Sequence, residues 1–401
     1  MTMSSNYVIV GASAAGIAAA IKIRQKDASA RIVCLTQENS APYNKCFLVD
    51  WVSGNKTWDE LFLREPSFFT EHGIELVYNC SVQYLDLQKR MVTCNNGSQW
   101  QYKKLLLAMG ASARTLPALH DKKNVYTFYT MQDVQKIITL LEQQDSKKRI
   151  AVIGAGITGM ECVDALLAHK NNISSLCVID TAPQVLGRLI TSDGSDFLEY
   201  HMQKHDIIFY KNSSISFKSD YFNCINRVYL SDGTCVPVDI VITVVGSIPN
   251  TQWLKNSGLV LDTQALVVNE WLQTSDSDVY AAGDCIVVKE KLSGSSMRSC
   301  MWADAMAQGM VAGSNMVHHE KQYNGIVLQT VSHLFGMPFS VMGRLYTKNE
   351  NERLEIIQAS DYYARIVYSN DGVVQGYCVI GTVPDRSVSK LRRSLLTKVY
   401  F

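Results

Sequence analysis

Short apolar runs of strand length alternate with longer runs that suit a helix, and this alternation occurs twice along the chain. Buried parallel strands are typically short apolar runs, whereas helices need longer segments with small and apolar residues on one face. The first copy predicts a strand, a helix and a strand at residues 7–10, 17–26 and 31–35. The second copy predicts the same three elements at residues 149–153, 160–169 and 176–179. The pattern indicates two βαβ units.

Each copy then continues into a hairpin and a further apolar strand. The dipeptides that favour a tight turn are Asn96-Gly97 in the first copy and Asp232-Gly233 in the second. The strands that follow, residues 105–110 and 241–246, both end in glycine. Because the elements recur in one order, the sequence predicts two units of the same design.

The turn between the first strand and the helix is rich in small residues in both copies. A strand that turns into a helix leaves free N–H groups at the helix N-terminus, where the helix dipole favours negative charge. Small residues let a phosphate approach the backbone, and the last glycine lets the helix pack on the strand. The positions are Gly11, Ser13 and Gly16 in the first copy and Gly154, Gly156 and Gly159 in the second. Both turns therefore predict dinucleotide sites.

An acidic residue follows the second strand of each copy. Glu38 lies 22 residues after Gly16, and Asp180 lies 21 residues after Gly159. A carboxylate in this place accepts hydrogen bonds from the adenosine ribose and repels a 2′-phosphate. The second site is therefore expected to prefer NADH over NADPH. The alternative is that Asp180 is a solvated residue at the end of a strand.

A third segment adds a further acidic position. Residues 278–284 form a short apolar strand that ends in Gly283-Asp284, and a helix is predicted at 302–316. Small residues along that helix indicate close packing against a flat neighbour. A carboxylate after a strand could hydrogen-bond the ribitol of a flavin, although Gly-Asp alone is a common turn.

Composition narrows the functional class. The 401 residues indicate two to three domains, and 47% hydrophobic with 19% charged residues is ordinary for a globular protein. The 38 basic and 37 acidic residues leave a net charge of +1, which argues against a nucleic-acid-binding surface. No apolar stretch reaches the length of a membrane span, and the strand at Tyr7 leaves no room for a signal peptide.

The cysteines carry no metal or paired redox motif. There are eleven, and none has the CxxC spacing, so no metal site is expected. Their odd number and the lack of an export signal favour reduced thiols and a cytoplasmic location.

The motifs GASAAG, LLLAMGA, GAGITGME, VVGSIPN and YAAGDC, with Glu38 and Asp180, resemble the FAD-dependent pyridine nucleotide-disulfide oxidoreductase superfamily. The resemblance covers essentially the whole chain. It is strongest to the branch of NADH oxidases, coenzyme A-disulfide reductases, the flavin part of nitrite reductases, and rubredoxin or ferredoxin reductases. The cofactors that it implies are FAD at the first turn and NADH at the second.

The fold implied is α/β, with two Rossmann-like dinucleotide-binding domains and a small α+β C-terminal interface domain. The FAD-binding domain is expected in two parts, residues 1–115 and 247–320. An NAD-binding domain is expected at 116–246, and the interface domain at 321–401, with strands at 362–367 and 372–380.

The resemblance also assigns roles to single residues. Arg114 resembles an arginine near the FAD phosphates, Asp284 the ribitol contact and Trp302 an aromatic beside the isoalloxazine. Glu161 resembles the glutamate that meets the nicotinamide carboxamide. The implied cofactor-binding positions are Gly11, Ser13, Ala15, Gly16, Glu38, Lys45, Val82, Ala108, Gly110, Arg114, Gly154, Gly156, Ile157, Gly159, Glu161, Asp180, Gly246, Gly283, Asp284 and Trp302.

The electron acceptor depends on residues 41–50. Cys46 aligns with the single redox cysteine of the NADH oxidase and coenzyme A-disulfide reductase group, where a cation such as Lys45 would stabilise a thiolate. The neighbouring Pro-Tyr-Asn-Lys is closer to the nitrite and ferredoxin reductase pattern, although Asp50 replaces a lysine that many of those members carry. Ala14 replaces the histidine of NADH peroxidases, so peroxidase chemistry is not expected. Cys46 could also be an inert small hydrophobic residue.

The sequence thus predicts an FAD-dependent enzyme that passes hydride from NADH to FAD and then to a small acceptor, oxygen or a disulfide. The alternative is an NADH-dependent reductase of a rubredoxin- or ferredoxin-like carrier protein. A flavoprotein scaffold without turnover is a third interpretation. A homodimer is possible, and no nucleic-acid partner is expected.

Overall fold

The computed structural model describes residues 2–143 and 146–400. The strands are β1 (Thr2–Val10), β2 (Ile32–Leu35), β3 (Ile74–Val77), β4 (Val82–Asp86), β5 (Met91–Cys94), β6 (Gln99–Leu107), β7 (Ala111–Ala113), β8 (Val125–Thr127), β9 (Lys148–Ile153), β10 (Ile173–Ile179), β11 (Ile207–Tyr210), β12 (Ile215–Ser219), β13 (Ile225–Leu230), β14 (Cys235–Pro237), β15 (Ile240–Thr243), β16 (Ser247–Pro249), β17 (Leu261–Asp262), β18 (Ala265–Val267), β19 (Val279–Ala281), β20 (Ile286–Lys289), β21 (Ser296–Met297), β22 (Gln329–Leu334), β23 (Met337–Gly343), β24 (Arg353–Gln358), β25 (Tyr363–Tyr368) and β26 (Val374–Ile380). The α-helices are α1 (Ala14–Lys26), α2 (Leu48–Val52), α3 (Pro66–Glu71), α4 (Met131–Glu142), α5 (Ile157–Leu166), α6 (Ser192–Lys204), α7 (Trp302–Val317) and α8 (Val388–Tyr400). Short 3₁₀ helices lie at Lys45–Phe47, Asp59–Leu61, Pro117–Leu119, Leu167–Asn172 and Gln252–Leu254.

The chain divides into two compact units. The first contains residues 2–46, 58–112 and 247–326, and the second contains 47–57, 113–246 and 327–400. Residues 47–57, which the sequence analysis included in the first FAD-binding segment, group with the second unit. In that unit α2 packs on α4 and α5, and the Val52 carbonyl oxygen lies 2.6 Å from Nε2 of His169.

The first unit contains a main sheet with the order β3-β2-β1-β6-β5-β4, in which β19 also pairs with β6, and a smaller sheet with the order β17-β18-β20-β21. β1, β2, β3, β6 and β19 are parallel, whereas β5 pairs antiparallel with β4 and β6. Every residue of β2 is buried, as expected for a parallel strand covered on both faces. The predicted hairpin at Asn96-Gly97 is present between β5 and β6, with Gly97 at a φ of +79°.

Helix α7 packs directly on α1 within the first unit. A Cβ on Gly309 would lie 2.1 Å from the Ala15 carbonyl oxygen, and one on Gly313 would lie 2.6 Å from that of Ala19. The small residues of α7 therefore allow backbone-to-backbone contact. The flat neighbour that the small residues of this helix predicted is therefore another helix, α1.

The second unit contains a parallel sheet and two antiparallel sheets. The parallel sheet has the order β11-β10-β9-β15-β8, and β12-β13-β14 form a smaller antiparallel sheet beside it. The C-terminal residues form the antiparallel sheet β22-β23-β26-β25-β24. Asp193 links α6 to the C-terminal sheet, because its Oδ2 accepts hydrogen bonds from Tyr363 Oη at 2.7 Å and Arg365 Nη1 at 2.8 Å, both on β25.

Cys80 and Cys94 form a disulfide, with their Cα atoms 5.8 Å apart. The expectation of reduced thiols is therefore wrong for this pair. The cysteines lie 14 residues apart, and the pairing of β4 with β5 sets Cys94 opposite Val82. The hairpin brings together two thiols that sequence spacing alone does not relate.

No helix in residues 2–143 and 146–400 combines the length and the hydropathy that a membrane crossing needs.

Candidate active site

The first glycine turn is shaped by contacts within the protein. Gly11 has a φ of +107°, and a Cβ there would lie 2.1 Å from the Ala108 carbonyl oxygen. A Cβ on Gly16 would lie 1.8 Å from the carbonyl oxygen of Gly11. Position 11 thus requires glycine because of the backbone that follows β6, whether or not a ligand binds. Gly16 allows α1 to begin directly after the turn.

The N-terminus of α1 fits the pyrophosphate of a dinucleotide. Ser13 is the N-cap, and its side chain makes no capping hydrogen bond. The first turn of α1 contains no acidic residue, so its free N–H groups and the helix dipole face no negative side chain there. Ala15, also predicted to contact the cofactor, lies in this turn and packs near Gly283. The turn therefore has the electrostatics and the small residues that suit a phosphate group.

Glu38 and Lys45 form an ion pair in the first unit. Glu38 follows β2, and its Oε1 lies 3.6 Å from Lys45 Nζ, with both side chains about one-quarter exposed. Burial raises the pKa of the Asp284 carboxyl, and Lys45 is one of two cations that oppose this rise, which places Lys45 near a second predicted cofactor carboxylate. Three predicted positions are thus brought together, and Lys45 is shared between two acids rather than directed at Cys46 alone.

Cys46 lies in the 3₁₀ helix Lys45–Phe47 at an exposed position. The Asn44 N–H donates to the Leu61 carbonyl oxygen at 2.8 Å, which fixes the preceding segment. Asn44 Oδ1 then accepts the Cys46 N–H at 3.0 Å, as in an Asx turn, in which an Asn side chain bonds the backbone two residues later. Cys46 is therefore reachable from solvent and does not belong to the buried core.

The Gly283-Asp284 turn follows β19 and is supported by two residues that the sequence analysis missed. Gln308 on α7 accepts the Gly283 N–H on its Oε1 at 2.7 Å. Arg298 Nη1 approaches the Asp284 carbonyl oxygen at 3.5 Å. Burial raises the pKa of the Asp284 carboxyl, and Arg298 and Lys45 act in the opposite direction. The sequence signal that could have identified Gln308 is its polar side chain on the buried face of α7, where most other residues are small or apolar.

The remaining predicted flavin positions lie at strand and helix ends. Val82 is buried at the start of β4, and Ala108 is buried just after β6. Gly110 has a φ of +63°, and Trp302 is the partly buried first residue of α7. Arg114 belongs to the second unit, where it is exposed and its N–H donates to the Gly246 carbonyl oxygen at 2.9 Å.

The second glycine turn repeats the first with one difference. Gly154 has a φ of +115°, and a Cβ there would lie 2.6 Å from the Val244 carbonyl oxygen. A Cβ on Gly159 would lie 2.1 Å from the Gly154 carbonyl oxygen. Gly156, the N-cap of α5 before Ile157, is exposed, and a Cβ on it would meet no protein atom within 4 Å. The space beside Gly156 is where a phosphate of NADH would approach the helix.

Asp180 contacts the second glycine turn directly. Its Oδ2 accepts the Ala155 N–H at 2.6 Å, and its Oδ1 accepts the Ala182 N–H at 2.9 Å. A carboxylate oxygen accepts more than one hydrogen bond, so both oxygens retain capacity for a ribose diol. Asp180 is therefore an organised part of the turn rather than a solvated strand end.

Glu161 lies one turn into α5, and its carboxylate is hydrogen-bonded within the second unit. Ser332 Oγ on β22 donates to Glu161 Oε1 at 2.6 Å. Burial raises the pKa of Glu161, the Ser332 hydrogen bond lowers it and the charge of Asp164 raises it. No local sequence signal points to Ser332, which is separated from Glu161 by 171 residues. Gly246, which follows β15, has a φ of +96°, a backbone conformation that favours glycine.

Two known proteins are similar to this chain in sequence. Apoptosis-inducing factor 3 of Mus musculus is 30% identical over 328 residues, which cover 80% of this chain and 52% of that protein. The chain thus spans about half the length of this relative. NADH oxidase of Methanocaldococcus jannaschii is 27% identical over 396 residues, which cover 93% of this chain and 87% of that protein.

A solved structure shares the fold over nearly the whole chain. The covalent putidaredoxin reductase–putidaredoxin complex matches with a TM-score of 0.86 at 23% identity, covering 98% of this chain and 92% of that chain. The likeness confirms the predicted α/β fold class.

The family model described as pyridine nucleotide-disulphide oxidoreductase matches residues 5–309. This match covers well over half of the chain and both glycine turns. It confirms the resemblance carried by the motifs, and with it the oxidoreductase class. The chain belongs to the pyridine nucleotide-disulphide oxidoreductase family.

Proposed function

We propose that the protein is an FAD-dependent NADH oxidoreductase that passes hydride from NADH to FAD and on to a small acceptor, either oxygen or a disulfide. The observation that carries the proposal is the pair of strand–turn–helix sites, each with an acid after the neighbouring strand. Open space beside Gly156 and a first turn of α1 without acidic residues both suit phosphate groups. The exposed thiol of Cys46 favours the disulfide among small acceptors.

In the first unit, the chain's residues would bind and orient FAD. The N-terminus of α1 would receive the pyrophosphate, Glu38 the adenosine ribose and Asp284 the ribitol. Gln308 would hold the Gly283-Asp284 turn in place through its hydrogen bond to Gly283. When bound, FAD supplies the two-electron chemistry that the side chains themselves lack.

In the second unit, the residues would bind and orient NADH. The N-terminus of α5 would receive its pyrophosphate beside Gly156, and Asp180 would accept the ribose hydroxyls. Glu161 would accept a hydrogen bond from the nicotinamide carboxamide. Asp180 is held by the Ala155 N–H of the same turn, so the ribose and phosphate contacts are fixed relative to each other.

Cys46 would react with an acceptor disulfide. Its thiolate would attack one sulfur, form a mixed disulfide and release the other sulfur as a thiolate. The exposed position of Cys46 supports this step.

A second candidate is a reductase of a rubredoxin- or ferredoxin-like carrier protein. Met306 and Met310, one turn apart on α7, are 40% and 44% exposed. Such flexible side chains suit a weak protein contact. The solved putidaredoxin complex supports this alternative, whereas the net charge of +1 gives no excess of basic residues for an acidic carrier.

One experiment separates these functions. The purified protein is titrated with NADH without oxygen, and the reduced flavin is then offered oxygen, disulfides and carrier proteins in turn. We expect rapid reoxidation by a disulfide or oxygen. Reoxidation by carrier proteins alone would favour the alternative, and a protein whose flavin NADH does not reduce would contradict both.

A cytoplasmic location and a homodimer are further parts of the proposal. Cell fractionation tests the first, and light scattering on the purified protein tests the second. A disulfide such as Cys80–Cys94 is uncommon in the cytoplasm, so the redox state of this pair in the cell also bears on location.

A further inference from the structure

The β22–β23 hairpin of the C-terminal sheet contacts α5 through a side-chain hydrogen bond. Ser332 Oγ donates to Glu161 Oε1 at 2.6 Å. Asp164, one turn later on α5, faces the same hairpin, and the nearby backbone of Phe335 opposes the rise that burial causes in the pKa of Asp164. The C-terminal sheet therefore reaches the helix that begins at the second glycine turn.

Glu161 has only one of its two oxygens engaged in this contact. Oε1 accepts the Ser332 hydroxyl, whereas Oε2 has no hydrogen bond to any residue that the structure describes. An ionised carboxylate has acceptor capacity on both oxygens. The free oxygen can therefore receive a donor from outside the protein.

The charged groups around Glu161 make its ionised form sensitive to this contact. Asp164 lies on the same face of α5, and burial and Asp164 both raise the pKa of Glu161. Burial raises the pKa of Asp164, and the charges of His205 after α6 and His333 on β22, which face Asp164 from the packed elements, act in the opposite direction. The Ser332 hydroxyl lowers the pKa of Glu161 directly.

We propose that Ser332 is a positioning residue for the nicotinamide, because its hydroxyl fixes Oε1 of Glu161 and presents Oε2 to the carboxamide N–H of NADH. The inference rests on the proposed function, in which NADH binds at the second glycine turn. A residue of the C-terminal sheet thus adjusts nicotinamide binding although it contacts no cofactor itself.

The test compares two ligands by calorimetry on the flavin-loaded protein. NAD⁺ carries the nicotinamide carboxamide, whereas ADP-ribose contains the same adenosine and pyrophosphate without it. Ser332→Ala should weaken NAD⁺ binding by about ten-fold, the loss expected when Glu161 no longer holds its hydrogen bond to the carboxamide. Its affinity for ADP-ribose should stay unchanged. Ser332→Thr, which keeps the hydroxyl, should restore NAD⁺ binding.

The pH dependence of NAD⁺ affinity provides a second readout. Without the Ser332 hydroxyl, Glu161 protonates at a higher pH, so the loss of NAD⁺ affinity in Ser332→Ala should grow as the pH is lowered from about 8 to about 6. Thr330→Ala, two residues earlier on β22, is the matched control and should bind both ligands as the parent does. Glu161→Gln should also weaken NAD⁺ selectively.

Each contrary result has a distinct meaning. Equal weakening of both ligands, or a loss that is the same at every pH, would show that Ser332 only supports the packing of α5. Unchanged NAD⁺ binding in Ser332→Ala would remove the positioning role while leaving the proposed function intact. A parent protein that binds neither ligand would overturn the proposed NADH site and the inference with it.

Discussion

Gln308 and Gly283 are joined by a buried hydrogen bond of 2.7 Å, in which the side-chain oxygen of Gln308 accepts the backbone N–H of Gly283. Gln308 is 1% exposed, and its Nε2 donates to Tyr323 Oη at 3.3 Å. The contact links α7 to the turn that carries Asp284. The turn is therefore held by a side chain from a helix rather than by its own backbone alone.

Gln308→Leu should loosen this turn. The change keeps the volume but leaves the Gly283 N–H buried without a partner, which costs about 1–3 kcal/mol of the free energy of unfolding. We expect urea unfolding at lower concentration and faster flavin loss on dialysis. Gln135→Leu, at an exposed position on α4, is the control. Wild-type flavin retention by Gln308→Leu would show that the hydrogen bond has no role in the site.

Gly11→Val should yield protein without flavin. A side chain at a φ of +107° is strained, and its Cβ would lie 2.1 Å from the Ala108 carbonyl oxygen. The absorbance of the purified protein between 350 and 500 nm (about the range of flavin bands) reports the loss. Gly97→Asn, at a positive φ with open space around it, should purify as yellow as the parent. An equally yellow Gly11→Val protein would contradict the assignment of the first turn.

Gly156→Ala separates ligand binding from folding. Gly156 has a φ of −77°, which alanine adopts readily, and its Cβ would meet no protein atom within 4 Å. The melting temperature should stay unchanged while NADH affinity falls by about ten-fold, since the methyl group occupies the phosphate approach. Gly159→Ala should instead lower stability by about 1–3 kcal/mol, because its Cβ meets the Gly154 carbonyl oxygen. Unchanged NADH affinity in Gly156→Ala would place the phosphate elsewhere.

NADH should reduce the flavin more efficiently than NADPH. Hydrogen bonds from the ribose diol to Asp180 contribute about 1.5–3 kcal/mol each, and the carboxylate repels a 2′-phosphate. The preference in kcat/KM should therefore be about ten-fold or more in stopped-flow measurements with both nucleotides. Asp180→Asn should reduce the preference, whereas Asp232→Asn on an exposed hairpin should not change it. Equal use of both nucleotides by the parent would refute the role of Asp180.

Cys46→Ser should remove disulfide reduction and leave flavin reduction by NADH nearly unchanged. A thiolate beside the flavin is expected to give a long-wavelength charge-transfer band, which the substitution should abolish. Cys235→Ser, at another exposed cysteine, is the matched control and should keep the band. Full disulfide reductase activity in Cys46→Ser would show that this cysteine has no redox role.

Local signals in the sequence predicted the elements that form the two glycine turns. The predicted strand at residues 7–10 is the end of β1, and the helix at 17–26 is most of α1. The hairpin at Asp232-Gly233 has Gly233 at a φ of +89°, as the dipeptide favours. These elements follow from periodicity and turn chemistry within short segments, which explains why they could be predicted.

Contacts between distant segments could not be predicted in the same way. Ser332 and Glu161 are 171 residues apart, and Gln308 and Gly283 belong to different elements. The Cys80–Cys94 pair depends on the register of a hairpin that the spacing of cysteines does not reveal. The helix predicted at 160–169 also differs, because α5 ends at Leu166 and a 3₁₀ helix follows. Such features depend on tertiary packing rather than on local preference.

The packing of α7 on α1 has a consequence for the order of events during protein synthesis. Ala15 and Gly309 touch through their backbones although roughly 290 residues of chain lie between them. Residues 113–246 contain all strands of their own parallel sheet and can complete it while α7 is still inside the ribosome. Until α7 emerges, the face of α1 at Ala15 and Ala19 stays uncovered. Loading of the flavin is then a late step of maturation, and the nascent chain passes through a stage that offers this surface to chaperones.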